Sequence, residues 1–182
     1  MALRFYDTMA REKREFRPVA RHEVRVYNCG PTVYDYAHVG NLRAYVFADV
    51  LRRYLQFKGY RVKQVMNITD VDDKTIKGAH KSRKSLGDYT KKYERAFFDD
   101  LKKMNMLPAS VYPRATQHIP EMVALVQKLL AKGIAYKGDD NSVYFSIKKV
   151  KDYGKLAHLD LSELKTGASG RVDADEYDKA DA

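Results

Sequence analysis

Residues 29–41 read Cys29-Gly30-Pro31-Thr32-Val33-Tyr34-Asp35-Tyr36-Ala37-His38-Val39-Gly40-Asn41 and concentrate the residue types with which proteins handle phosphate. Gly40 removes side-chain bulk where an anion must approach backbone, and a helix beginning near Asn41 would turn unpaired N–H groups and its dipole towards negative charge. His38, one turn upstream, can donate a hydrogen bond to phosphate oxygens as charge develops on them, the stabilisation that phosphoryl and nucleotidyl transfer mainly require. ATP suits this chemistry. The plainer use of His38, as a helix cap or packing residue, remains open on residue types alone.

The elements that must position this segment follow from hydrophobic spacing. Residues 24–27 read as a short buried strand, and the Gly-Pro stretch after it breaks regular structure. From about Asn41, the residues Leu42, Tyr45, Val46, Val50, Tyr54 and Leu55 recur at helical spacing, with a stop at Gly59. Residues 61–68 offer Val62, Val65, Met66 and Ile68 as a second buried strand. A strand-helix-strand order predicts a right-handed crossover in a parallel sheet, with ligands received at the carboxyl ends of the strands. Asp72 and Asp73 suit the first turn of another helix, which is expected to run into the basic tract 77–84, interrupted by Gly78. A further helix is expected within 86–106, along the stripe Tyr93, Phe97, Leu101 and Met104, ended by Pro108 and Pro113. Pro120 opens another, carrying Val123, Val126, Leu129 and Leu130, with Gly133 beyond it. Residues 135–136 and 142–147, joined across Gly138-Asp139-Asp140-Asn141, read as a hairpin. After about Leu164 the composition shifts to Gly, Ala, Ser and Asp, which predicts a weakly ordered tail.

The 182 residues suffice for one sizeable domain carrying an insertion. The chain is 45% hydrophobic and 32% charged, and no apolar run approaches the roughly 20 residues of a bilayer span. Residues 1–16 lack a continuous apolar stretch and a small-residue cleavage site, so a cytoplasmic protein without a membrane partner is expected. The single cysteine, Cys29, excludes an internal disulfide and leaves a buried thiol, a reactive thiol or one metal ligand. A net charge of +10 favours encounter with polyanions such as nucleotides or RNA.

His38-Val39-Gly40-Asn41 resembles the His-x-Gly-His or His-x-Gly-Asn signature of class I aminoacyl-tRNA synthetases. The longer string from Tyr27 to Asn41, with Asn67-Ile68-Thr69-Asp70-Val71-Asp72-Asp73-Lys74, is similar to the cysteinyl branch of that class. The likeness continues through Arg114-Ala115-Thr116-Gln117-His118-Ile119 and Asp152-Tyr153-Gly154-Lys155-Leu156, to about residue 175. It implies an α/β fold: the first half of a Rossmann-like nucleotide-binding parallel sheet over 1–112, a mixed α+β connective insertion over 113–165, and a tail over 166–182. It implies catalytic roles for His38 and Asn41, and ATP contacts from Gly30, Pro31, Thr32, His38, Gly40 and Asn41. Cys29, Gly30 and Thr69 are expected to line a cysteine pocket. By residue type, Thr69 serves equally as a strand-end residue capping the helix at Asp72.

In that family the cysteine after the first strand ligates zinc, which binds the substrate thiolate; Cys29 matches it. A borderline metal distinguishes thiolate from hydroxyl better than a packed pocket does. The implied reaction is cysteine activation with ATP, accompanied by Mg2+, to cysteinyl-adenylate, then transfer to tRNA-Cys by a monomer. Gln117 departs from a family glutamate, His118 is expected to pack or hydrogen-bond, and the 77–84 tract offers a surface for the tRNA acceptor end. The Lys-Met-Ser-Lys-Ser loop and the remaining zinc ligands of the family have no match within these residues, so an N-terminal catalytic fragment, inactive alone, is expected. A stand-alone nucleotide- or RNA-binding module and a cysteine:amino-sugar ligase of the same superfamily are the alternatives.

Overall fold

The computed structural model describes residues 2–139 and 141–159. The expected tail, and residues 160–165 of the expected insertion, lie outside the described residues. In chain order the elements are β1 (Arg4–Asp7), β2 (Glu12–Glu15), β3 (Glu23–Asn28), α1 (Val39–Phe57), β4 (Arg61–Met66), α2 (Asp73–Lys81), α3 (Leu86–Lys103), α4 (Ile119–Ala131), β5 (Ala135–Lys137) and β6 (Val143–Phe145). Short 3-10 turns occupy Ala115–His118 and Ile147–Lys149. The chain divides into two compact units, one over Arg17–Ile119 and one formed by the segments on either side of it.

In the Arg17–Ile119 unit, β3 and β4 pair in parallel, with Glu23 opposite Arg61 and Asn28 opposite Met66. Parallel neighbours need a crossover, and α1 supplies it. Its buried residues Tyr45, Ala48 and Leu55 share one helical face, and Gly59, at φ +86°, lets the chain leave the helix towards β4. The sheet has two strands among the described residues. Along the other edge of β4, residues 110–114 form parallel bridges, Val65 with Val111 and Ile68 with Arg114. Val33, Tyr45, Met66, Ile68, Phe97 and Leu101 make the core, so the loop after β3, α1, the end of β4 with the residues after it, and α3 share one apolar cluster.

Burial has a consequence for alkaline stability. Tyr45 is only 7% exposed, and desolvation, with a smaller contribution from Cys29, pushes its phenol up to about 12. Above pH 10 the unfolded chain releases this proton while the folded chain keeps it. Unfolding free energy should therefore fall as pH rises from about 10 to 12, by on the order of 2 kcal/mol. Urea titrations across that window check this, and Tyr45→Phe should flatten the dependence.

The helix starts show local chemistry. Asp72 caps α2 by accepting from the Thr75 N–H at 2.8 Å, and the Thr75 hydroxyl accepts from the Asp72 N–H at 2.8 Å. The tract 77–84 does not stay helical: α2 ends at Lys81, Arg83 adopts φ +53°, and the Lys84 N–H closes back on the Ala79 carbonyl. Ser85 then caps α3.

In the other unit, β1 and β2 form an antiparallel hairpin, and so do β5 and β6, with Tyr136 opposite Tyr144. Phe5 packs edge-on against Phe16 at 5.2 Å between ring centroids. His158 Nε2 lies 3.1 Å from the Thr8 carbonyl oxygen and 3.0 Å from that of Met9.

Candidate functional site

Because β3 and β4 run in parallel and in register, the segments that follow them emerge at the same edge. There the loop of residues 29–33 and the segment 67–69 interlock. The Gly30 N–H donates to Asn67 Oδ1 at 2.9 Å, the Thr69 N–H to the Pro31 carbonyl at 2.9 Å, and the Val33 N–H to the Thr69 carbonyl at 3.1 Å. Asn67 Nδ2 donates to Thr69 Oγ1 at 3.1 Å, and Thr32 and Thr69 form a parallel bridge. A Cβ on Gly30 would lie 1.7 Å from the Asn67 carbonyl oxygen, so the two backbones are in contact where only glycine fits. Asn67 organises this edge, yet its residue type at a strand end gave only a motif position as a signal.

The helix begins at Val39, two residues before the start expected from apolar spacing, because His38 caps it. His38 Nδ1 accepts from the Gly40 N–H at 3.0 Å, and Asn41 Oδ1 accepts from the His38 N–H at 3.2 Å. The expected unpaired N–H groups are thus partly used internally: Gly40 donates to the imidazole, and the Asn41 N–H to the His38 carbonyl at 2.9 Å. Gly40 also makes room for that ring, since an added Cβ would sit 2.8 Å from His38 Cε1. A ring nitrogen that accepts here leaves the other, Nε2, as the N–H donor of the neutral imidazole. His38, Gly40 and Asn41 are exposed, so that donor faces solvent from the helix tip.

Cys29 is exposed, which overturns the buried-thiol alternative. Thr69 does not cap the helix at Asp72, because Asp72 caps with its own carboxylate. Asp70 is buried and accepts from the Thr116 N–H at 2.9 Å and from the Thr116 hydroxyl, fixing the 3-10 turn that carries Gln117 and His118. Arg114 forms a bidentate pair with Glu94 on α3, and this hydrogen bond is the main cause of its raised pKa. Sequence reading missed both pairs, whose partners lie 46 and 20 residues apart. No group of three or more His, Cys, Asp and Glu able to hold a metal occurs among the described residues. No helix among them is long and apolar enough to cross a membrane.

A strand-helix-strand unit with a glycine-dependent loop and a histidine-capped helix at its carboxyl edge is matched, over residues 15–182, by the family model for the tRNA synthetases class I (C) catalytic domain, and the chain belongs to that family. Within it, the chain is 52% identical over 177 residues to a cysteine–tRNA ligase of Protochlamydia amoebophila and 54% over 178 residues to one of Brachyspira hyodysenteriae. A cysteine–tRNA ligase of Chlamydia trachomatis is 54% identical over 179 residues. These alignments cover 97–98% of this chain and 37% of each relative. The chain therefore spans little more than a third of the length of the ligases it matches.

Proposed function

We propose that this chain supplies the ATP- and cysteine-facing part of a cysteine–tRNA ligase, built on the first half of a Rossmann-like fold. The observation that carries the reading is the joining of residues 29–33 to 67–69 at one sheet edge, beside a helix tip where His38 caps with one nitrogen and presents the other outward. In this reading the cysteine carboxylate attacks the α-phosphorus of ATP, a P–O bond forms, and pyrophosphate leaves. A hydroxyl of the terminal ribose of tRNA-Cys then attacks the cysteinyl carbonyl, the ester forms, and AMP leaves as the mixed anhydride breaks. His38 Nε2–H donates to phosphate oxygens as charge builds, Asn41 holds the His38 backbone in place, and Gly30, Pro31, Thr32 and Gly40 let the nucleotide approach the chain. Mg2+ accompanies the triphosphate. The names of the relatives favour tRNA over an amino sugar as acceptor, and a cytoplasmic monomer is the setting we assign.

Cys29 and Thr69 flank the proposed cysteine pocket. An exposed thiol is accessible as one thiolate donor to zinc, but the described residues by themselves do not complete a zinc centre.

Titrating the chain with a non-hydrolysable ATP analogue, followed by backbone amide resonances, tests the reading. Shifts should concentrate at residues 30–41 and 67–69; saturable shifts confined to other residues would remove the nucleotide from this edge.

A further inference from the structure

Between Val33, anchored on the Thr69 carbonyl, and the cap at His38, residues 34–37 belong to no helix or strand. The bonds their own amides make are short-range: the Tyr34 N–H donates to the Thr32 carbonyl at 3.0 Å and the Tyr36 N–H to Asp35 Oδ1 at 2.8 Å. Such bonds do not fix where the stretch lies. Helices α2 and α3 do. The Tyr89 hydroxyl of α3 donates to the Tyr34 carbonyl at 2.7 Å, across 55 residues of sequence. Lys74 of α2 places Nζ 5.1 Å from the Tyr34 ring centroid. Tyr36 meets Tyr93 edge-on at 5.2 Å, and Lys92 Nζ lies 5.2 Å from the Tyr36 centroid and 4.9 Å from that of Tyr93.

Helix α2 is shaped for this contact. Gly78 sits inside a helix of nine residues, where glycine is unfavourable, and a Cβ there would lie 2.3 Å from the Tyr89 hydroxyl oxygen. The glycine leaves the space that Tyr89 occupies on its way to Tyr34.

We propose that Tyr89 is a positioning residue for the nucleotide. Through the Tyr34 carbonyl it sets where His38 presents its Nε2–H, and Lys92 on Tyr36 is the second tether of the same stretch. The inference rests on the reading that ATP meets the chain at His38. Placement matters because a donor displaced by a fraction of a bond length loses much of its effect on a reacting phosphate.

The test uses Tyr89→Phe, Gly78→Ala, Lys92→Met and Lys92→Arg in the whole chain, reading ligand-free His38 ring and Gly40 amide resonances, analogue affinity by calorimetry, and Tm. Tyr89→Phe should move the His38 and Gly40 resonances and weaken the analogue by about three- to tenfold, as loss of one hydrogen bond allows, with Tm lowered by no more than about 4 °C. Gly78→Ala should raise the intrinsic helicity of α2 yet weaken the analogue to a similar degree, an opposition that a purely structural role does not produce. Lys92→Met should weaken it as well, and Lys92→Arg should restore it, since a guanidinium also sits on an aromatic face. Unchanged His38 and Gly40 resonances together with unchanged affinity in Tyr89→Phe and Gly78→Ala overturn the proposal. If the analogue binds elsewhere on the unaltered chain, the nucleotide reading fails and the positioning role fails with it, whereas binding at the tip with indifferent variants fails the positioning role alone.

Discussion

Gly30→Ala is expected to destroy the sheet-edge site and to cost about 3 kcal/mol of stability or more. The added methyl would stand 1.7 Å from the Asn67 carbonyl oxygen, 2.9 Å from its carbon and 3.0 Å from Met66 Cγ. Two of those atoms are backbone at the end of a paired strand, so no rotamer change relieves the overlap. Relief requires parting the loop from the segment after β4, which breaks the Gly30–Asn67, Thr69–Pro31 and Val33–Thr69 hydrogen bonds together. Val33 is almost wholly buried, so the disturbance reaches the apolar cluster. Urea unfolding and analogue titration measure the two losses. A variant within about 0.5 kcal/mol of the original, with binding intact, would mean that the loop has slack that its contacts do not suggest.

His38→Asn separates the two uses of one ring. Asparagine is among the strongest N-cap residues, so α1 should persist with little change in Tm. Its shorter amide cannot bring a donor to the place of Nε2. Adenylate formation, read as cysteine-dependent pyrophosphate exchange in a ligase of the relatives' length carrying this segment, should fall about 100-fold or more. His38→Ala loses the donor and the cap, adding about 1 kcal/mol of destabilisation. Exchange at the unaltered rate in His38→Asn would reduce His38 to a structural cap.

The strand-helix-strand unit was legible from apolar spacing, although of the residues read on α1 Tyr45 and Leu55 face inward while Val46, Val50 and Tyr54 are exposed; Met66 and Ile68, at and just past the end of β4, are buried as expected. Helices α3 and α4 were legible on the same grounds, and the β5–β6 hairpin from the Gly-Asp-Asp-Asn residues between its strands. The β1–β2 hairpin was not. Glu12-Lys13-Arg14-Glu15 has the composition of an exposed helix, and the turn before it contains no Gly, Asn or Pro; Arg11 itself adopts φ +55°. The start of α1 was placed late because histidine is not a common cap, and its use here depends on Asn41 returning a hydrogen bond. Within the site, the types and order of residues 29–41 were readable, whereas the need for glycine at position 30 comes from a carbonyl 37 residues away. The tie from Tyr89 to Tyr34 is equally non-local. Spacing reports which face of an element is apolar, but it does not report which backbones touch.

The exposed position of Cys29, beside the Gly30 amide that Asn67 holds, gives the chain a built-in reporter. It is the sole sulfhydryl in the sequence, so a maleimide dye would attach at one defined place without any engineering. Its emission would track events at the edge proposed to receive the amino acid. The same accessibility leaves that thiol open to peroxide, and its oxidation would add polar bulk next to the Gly30–Asn67 contact.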